Sequence, residues 1–284
     1  MQIETFFDER TSTLTYVVFS EAARDAVIID PVLDYEPSSG KVWTESLERV
    51  AAFVEARQLK VHAVLETHVH ADHLSGSQWL KRRFGAPVAV SERVTEVQSN
   101  FRDVFGWKQE ATNGRQFDRL LKDGELLEAG ALRITALATP GHTPACMSFQ
   151  VGDAVFTGDA LFLDDVGVGR CDFPGGDAAA LYESVTRRLF SLPPETRLFT
   201  GHDYPPAGRT WRASTTVGSA RQANAQLQAS TSKEDFVARR QARDRTLSAP
   251  RLLYPSLQVN LAAGQLPEPE ANGRRYLRTP VTER

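Results

Sequence analysis

The sequence predicts an α/β fold, and three observations carry that reading. Short apolar runs of strand length recur along the chain. Segments with apolar residues at helical spacing stand between them. Four of the predicted strands stop at a residue type that binds metal.

Residues 14–19 (LTYVVF) and 26–30 (AVIID) read as two strands joined by a turn. Residues 43–59 place Leu47, Val50, Ala51 and Val54 on one helical face. Residues 61–66 form a short apolar strand that ends at Thr67-His68, and residues 74–84 are helical. The strand over 131–138 ends at Thr139-Pro140-Gly141-His142. Residues 147–151 and 154–157 flank Gly152-Asp153, a two-residue hairpin signal, and the second of them ends at Gly158-Asp159. Asp177 is placed to cap a helix running through Phe190. Residues 198–200 form a strand ending at Gly201-His202. Residues 214–228 and 232–243 read as helices, the second opened by Ser232-x-x-Asp235.

The 284 residues are 41% apolar and 24% charged, values of a globular chain with a sizeable core. We expect a single domain over 1–284, with a core at about 10–212 and a helical and extended C-terminal extension over 213–284. The net charge of -3 argues against nucleic-acid binding by bulk electrostatics. Lys81-Arg82-Arg83 and Arg239-Arg240 read as solvated helix faces. No apolar stretch approaches the roughly 18 residues of a membrane span, so no membrane association is expected. The N-terminal residues show no secretory pattern and there are two cysteines, so the expected compartment is the cytoplasm.

The histidines carry the chemistry. Of six, three fall in His68-Val-His70-Ala-Asp72-His73, and His142 and His202 each follow a glycine. Neutral imidazole offers a lone pair near pH 7, and Asp72 and Asp159 add oxygen donors. Ligands at strand ends are held by a rigid sheet yet face an open cleft. Asp72 is also placed to cap the helix after it. His62 reads as structural.

At these residues the sequence resembles the metallo-β-lactamase superfamily over roughly 10–212. The resemblance implies a four-layer αββα sandwich with the metal cleft at one edge of the two central sheets. All seven superfamily ligand positions are present: His68, His70, Asp72, His73, His142, Asp159 and His202. Seven ligands can hold two metals bridged by Asp159, as in the glyoxalase II thioesterases. Gly169-Arg170-Cys171-Asp172-Phe173 with Gly176, and Gly201-His202-Asp203-Tyr204, are instead similar to the persulfide dioxygenases (the ethylmalonic encephalopathy protein family, or sulfur dioxygenases). The tail resembles the longer bacterial members of that branch.

The dioxygenase resemblance implies one Fe(II) per chain on His68, His142 and Asp159. His70, Asp72, His73, His202 and Asp203 would then orient ligands or hold a vestigial site. The expected partners are glutathione persulfide and dioxygen, in a homodimer, and the expected products are sulfite and glutathione. Because glutathione carries carboxylates, Arg170 is read as a substrate contact or as the anchor of its own loop to Asp172. Tyr204 is read as a substrate contact or as packing at the cleft rim. Cys171 is placed beside Arg170, which would lower its pKa, or is a small loop residue; Cys146 is read as core. The alternative function is a dinuclear hydroxyacylglutathione hydrolase of the glyoxalase II type, and a non-enzymatic metal sensor on the same fold stands behind it.

Overall fold

A computed structural model describes residues 1–107, 112–206, 208–281 and 283. Its first half contains strands β1 (Gln2–Asp8), β2 (Thr13–Phe19), β3 (Asp25–Ile29), β4 (Val32–Glu36) and β5 (Lys41–Trp43), then helix α1 (Glu45–Ala56). Strand β6 (Lys60–Leu65), β7 (Leu74–Ser75), α2 (Ser77–Phe84), β8 (Val88–Ser91), α3 (Val94–Phe105) and β9 (Arg119–Leu121) follow. The second half holds β10 (Leu126–Ala129), β11 (Leu132–Ala138), β12 (Met147–Val151), β13 (Ala154–Gly158), α4 (Ala178–Glu183), β14 (Arg197–Thr200) and β15 (Ser214–Thr216). Helices α5 (Val217–Ala223), α6 (Lys233–Asp244) and α7 (Leu253–Asn260) come last.

Two six-stranded sheets result, ordered β1-β2-β3-β6-β8-β9 and β10-β11-β12-β13-β14-β15. The first is antiparallel at β1–β3 and parallel from β3 to β9. The second is antiparallel except where β13 and β14 run parallel.

Strand β2 shows why the sheets stack. All seven of its residues are buried. Because side chains alternate across a strand, Leu14, Tyr16 and Val18 point between the sheets, where they meet Phe149, Phe156 and Phe199. Val17 and Phe19 point the other way, onto Leu47, Val50 and Val54 of α1 and Leu80 of α2. Val155 and Leu198 of the second sheet meet Leu181, Val217, Ala220 and Phe236 on its outer face. Helix, sheet, sheet and helix therefore form four layers.

The structure moves several predicted boundaries. The helix expected over 43–59 starts at Glu45, because Trp43 closes β5 against Asp34 of β4. The helix expected over 74–84 starts at Ser77, because Leu74 and Ser75 pair with Leu33 and Val32. Its N-cap position is Gly76, so Asp72 does not cap it. Residues 214–216 are strand, paired with 197–199, and the short helix after them is capped by the Thr216 hydroxyl. Asp177 and Ser232 cap their helices as expected, although the first continues from Ser184 to Leu189 as a π-helical turn. Strand β1, QIETFFD, has no clean polar–apolar alternation, so its sequence gives no strand signal. Among the described residues no helix is long and apolar enough to cross a membrane.

Phe156 is 1% exposed and packs on Tyr16 and Phe199 with ring centroids at 5.0 and 5.1 Å. Phe156→Ala is expected to destabilise the protein by about 3–5 kcal/mol, read as a shift in the denaturant unfolding midpoint of the metal-free protein.

Candidate metal centre

The ligand-type residues of four strand ends converge at one edge of the two sheets. β6 delivers His68–His73, β11 delivers His142, β13 delivers Asp159 and β14 delivers His202. Two glycines let them approach. A Cβ on Gly201 would lie 2.8 Å from Asp159 Oδ1. Gly141 has φ +141°, and a Cβ there would strike the Leu181 backbone at 2.4 Å.

The donors divide into two groups. His68, His142 and Asp159 form one; His70, Asp72, His73 and His202 form the other. Asp159 stands between them. Its Oδ2 is 3.9 Å from His68 Nε2 and 3.6 Å from His142 Nε2, and its Oδ1 is 3.5 Å from His202 Nε2.

Hydrogen bonds fix which nitrogen of each ring is free. Thr67 Oγ1 donates to Asp30 Oδ2 at 2.7 Å, so at 3.0 Å it accepts from His68 Nδ1. His142 Nδ1 donates to the Arg170 carbonyl at 2.6 Å. His202 Nδ1 donates to the Ser12 carbonyl at 3.2 Å. Each leaves an Nε2 lone pair facing the group, the arrangement that a ligating imidazole needs.

The lone pairs lack protein partners. His68 Nε2, His70 Nδ1, His73 Nε2, His202 Nε2, Asp72 Oδ2 and Asp159 Oδ1 are all buried without a hydrogen bond. Unpaired buried polar atoms are costly, and a cluster of them fits a cation. Burial, then repulsion from His70, His142, His202 and His73, holds His68 well below the ordinary imidazole pKa. It is neutral and free to ligate at pH 7.

His70 is held differently. Its Nε2 stands 3.1 Å from Asp30 Oδ1 and 3.4 Å from Glu66 Oε2. Burial would lower its pKa, but the two carboxylates overcome burial and raise it well above the usual value. Asp30 also accepts from the Thr67 amide at 2.7 Å, and Glu66 accepts from the hydroxyls of Ser75 and Ser77. Neither acid was singled out from sequence, although Asp30 closes an otherwise apolar strand, which is a signal.

A cavity of about 440 Å³ opens on this edge, and His142, Asp159 and Asp72 face it. The comparisons with known proteins agree with the geometry. The metallo-beta-lactamase superfamily domain matches residues 9–202.

The chain belongs to the metallo-beta-lactamase superfamily.

A probable metallo-hydrolase of Burkholderia pseudomallei is 48% identical over 99% of both chains. The beta-lactamase hydrolase-like protein of Xylella fastidiosa is 46% identical over 99% of this chain, which spans 64% of that relative's length. The human mitochondrial persulfide dioxygenase ETHE1 is 32% identical over 71% of this chain and 68% of its own. The crystal structure of ETHE1 from Myxococcus xanthus superposes with a TM-score of 0.76 at 35% identity, covering 93% of this chain and all of that one. These relatives place the chain on the persulfide dioxygenase branch of the superfamily.

Several flanking residues stand elsewhere than the sequence suggested. Asp203 makes no contact with a ligating histidine among the described residues. It is buried and takes the Arg209 guanidinium at 2.7 and 2.8 Å and the Arg212 amide at 2.6 Å. Arg170 lines the cavity, but Asp172 takes its guanidinium at 2.6 and 2.7 Å and the Ser248 carbonyl takes a third N–H at 2.8 Å. Its role as loop anchor is therefore filled. Tyr204 is half-exposed, stacks on His202 at 5.5 Å and faces the cavity. Cys171 is buried, and burial followed by the Asp244 charge raises its pKa, so Arg170 does not activate it. Burial likewise pushes Cys146 up to about 12. Arg240 is no solvated residue: it is 3% exposed, paired with Asp244 at 2.5 Å and Gln226 at 2.6 Å. His62 pairs with Asp25 at 2.6 Å, away from the site.

The extension completes the superfamily site. Asn260 of α7 donates to the carbonyls of His70 and His73, both at 2.8 Å, and accepts from the Ser75 amide at 2.7 Å. Nothing in the sequence pointed to it. Asn260→Ala is expected to lower metal affinity by roughly 10–100-fold, as for loss of a residue that orients ligands. A chelator competition titration reads this, with circular dichroism showing a retained fold.

Proposed function

We propose that the protein is a glutathione persulfide dioxygenase using one Fe(II) per chain. The overall reaction joins glutathione persulfide, dioxygen and water to give glutathione and sulfite. The single observation that carries the reading is the group of His68, His142 and Asp159, with two of its members facing the cavity. Two histidines and one carboxylate on one side of a metal leave positions open for substrate and dioxygen, the known pattern of non-heme Fe(II) oxygenases. The similarity to persulfide dioxygenase ETHE1 supports the same reading.

When bound, ferrous iron supplies the redox capacity toward dioxygen that no side chain has and that zinc lacks. The chain's own residues do the rest. Thr67 and the Arg170 carbonyl hold the two imidazoles in the ligating tautomer. Phe162, Val166, Val168 and Leu252 line the approach and exclude water from it. The Tyr204 hydroxyl is kept protonated by partial burial and by the Asp72 and Asp159 carboxylates, so it is a donor toward an anionic ligand.

A second reading has an observation of its own. Asp159 stands between the two donor groups, and the second group also carries unpaired buried atoms. That geometry suits a dinuclear thioester hydrolase of the glyoxalase II type. Metal content and turnover separate the two.

Protein loaded with Fe(II) is expected to consume dioxygen and release sulfite in equal amounts when given glutathione persulfide, and zinc-loaded protein to do neither. Two metals per chain, together with hydrolysis of S-lactoylglutathione and no dioxygen uptake, would select the hydrolase. His68→Ala, His142→Ala and Asp159→Ala should each lose iron and activity. His70→Ala should retain measurable iron by elemental analysis, because His70 groups with Asp72, His73 and His202 rather than with His68, His142 and Asp159; iron loss matching that of His68→Ala would count against a mononuclear site.

A further inference from the structure

Five arginines line the cavity: Arg10, Arg170, Arg240, Arg243 and Arg251. Three are already matched within the chain. Arg10 approaches Asp34 at 3.4 Å and Glu45 at 3.5 Å. Arg170 is held by Asp172 and Arg240 by Asp244. The Arg243 and Arg251 side chains make no hydrogen bond or ion pair among the described residues, and both are exposed. Glu36 is an electrostatic neighbour of Arg251, and its carboxylate is engaged by the Ser38 amide and hydroxyl at 3.0 and 2.9 Å.

Position sharpens the contrast. Arg243 sits in the last turn of α6, where a cation complements the helix dipole, so that alone would account for it. Arg251 sits two residues before the first residue of α7, at the positive end of a helix with no acidic residue in its first turn. A cation there is electrostatically unfavourable unless an anion joins it. The same cavity is lined by the apolar Val166, Val168, Leu247 and Leu252 and by Asp72, His142 and Asp159. One cavity thus holds metal-ligand residues, apolar wall and two arginines without a hydrogen-bond or ion-pair partner among the described residues.

We infer that Arg243 and Arg251, both supplied by the C-terminal extension, form the subsite for a substrate carboxylate and set the preference for an acidic low-molecular-weight persulfide over a neutral one. The inference rests on the persulfide reading for its reaction but not for its ligand class. A guanidinium pairs a carboxylate through two parallel N–H bonds, which orients the ligand as well as holding it.

The test compares wild type with Arg243→Gln, Arg251→Gln and the double variant. Arg239→Gln, on the same helix but outside the cavity lining, controls for net charge. Turnover is measured with glutathione persulfide and with the carboxylate-free N-acetylcysteamine persulfide. Binding of S-methylglutathione, which lacks the reactive sulfur, is measured by calorimetry. The ratio of kcat/KM for the acidic over the neutral persulfide should fall at least tenfold in the double variant, through KM, and stay within twofold in Arg239→Gln. S-methylglutathione binding should weaken in step. An unchanged ratio with unchanged S-methylglutathione affinity overturns the subsite. If wild type shows no persulfide turnover, yet binds S-methylglutathione and the variants weaken that binding, the subsite stands and the dioxygenase reading falls. If wild type turns over but the variants alter both persulfides alike, the dioxygenase reading stands and the subsite falls.

Discussion

Buried lone pairs facing one another are the constraint on which this structure depends. Imidazole and carboxylate donors stand 3 to 4 Å apart at the edge of the two sheets, and each of His68, His70, Asp72, His73, Asp159 and His202 has a buried atom with no hydrogen-bond partner. Such a cluster is unfavourable in isolation, because each group has left water without a replacement bond. A bound cation reverses the sign. The surrounding fold is built to hold the donors: rigid strand ends supply the residues, glycines allow the close approach, and hydroxyl and carbonyl groups behind the rings fix their tautomers.

The packing behind the site is as specific as the site itself. Asp30 and Glu66 are buried acids: Thr67 donates twice to Asp30, Ser75 and Ser77 donate to one oxygen of Glu66, and His70 Nε2 stands within ion-pair distance of both. They engage Nε2 of His70 and leave its buried Nδ1 without a hydrogen bond. The C-terminal extension holds both flanks. Asn260 ties down the loop carrying His70 and His73. On the other side, Arg240 and Asp244 form a buried pair, and Asp244 accepts from the Cys171 amide at 3.0 Å. That segment carries the Arg170 carbonyl to which His142 is bonded. The extension is thus part of the support of the metal centre and of the wall of its cavity.

The same geometry leaves two chemistries open on one set of ligand-type residues. Asp159 lies between two donor groups, so a hydrolase and an oxygenase can both be drawn on the same residues. The residues around the ligands, rather than their count, bias the outcome. Here His70 is committed to two acids, and arginines gather along the cavity.

The sequence alone was sufficient for whatever depends on local spacing. Strands ending in Thr67-His68, Gly141-His142, Gly158-Asp159 and Gly201-His202 were legible because alternating or continuous apolar runs stop there. The helix caps at Asp177 and Ser232 were legible because capping is a contact over two or three residues. Tertiary structure decided everything that depends on which distant groups meet. Arg240 looked solvated until Asp244 and Gln226 enclosed it. Asp203 looked like a partner for histidine until Arg209 claimed it. Asn260 reaches a loop 187 residues away in sequence, and no periodicity encodes that. A side chain's charge and shape are written in the sequence, but its partner is chosen by the folded surroundings, where burial makes an unmatched polar atom too unfavourable to leave alone.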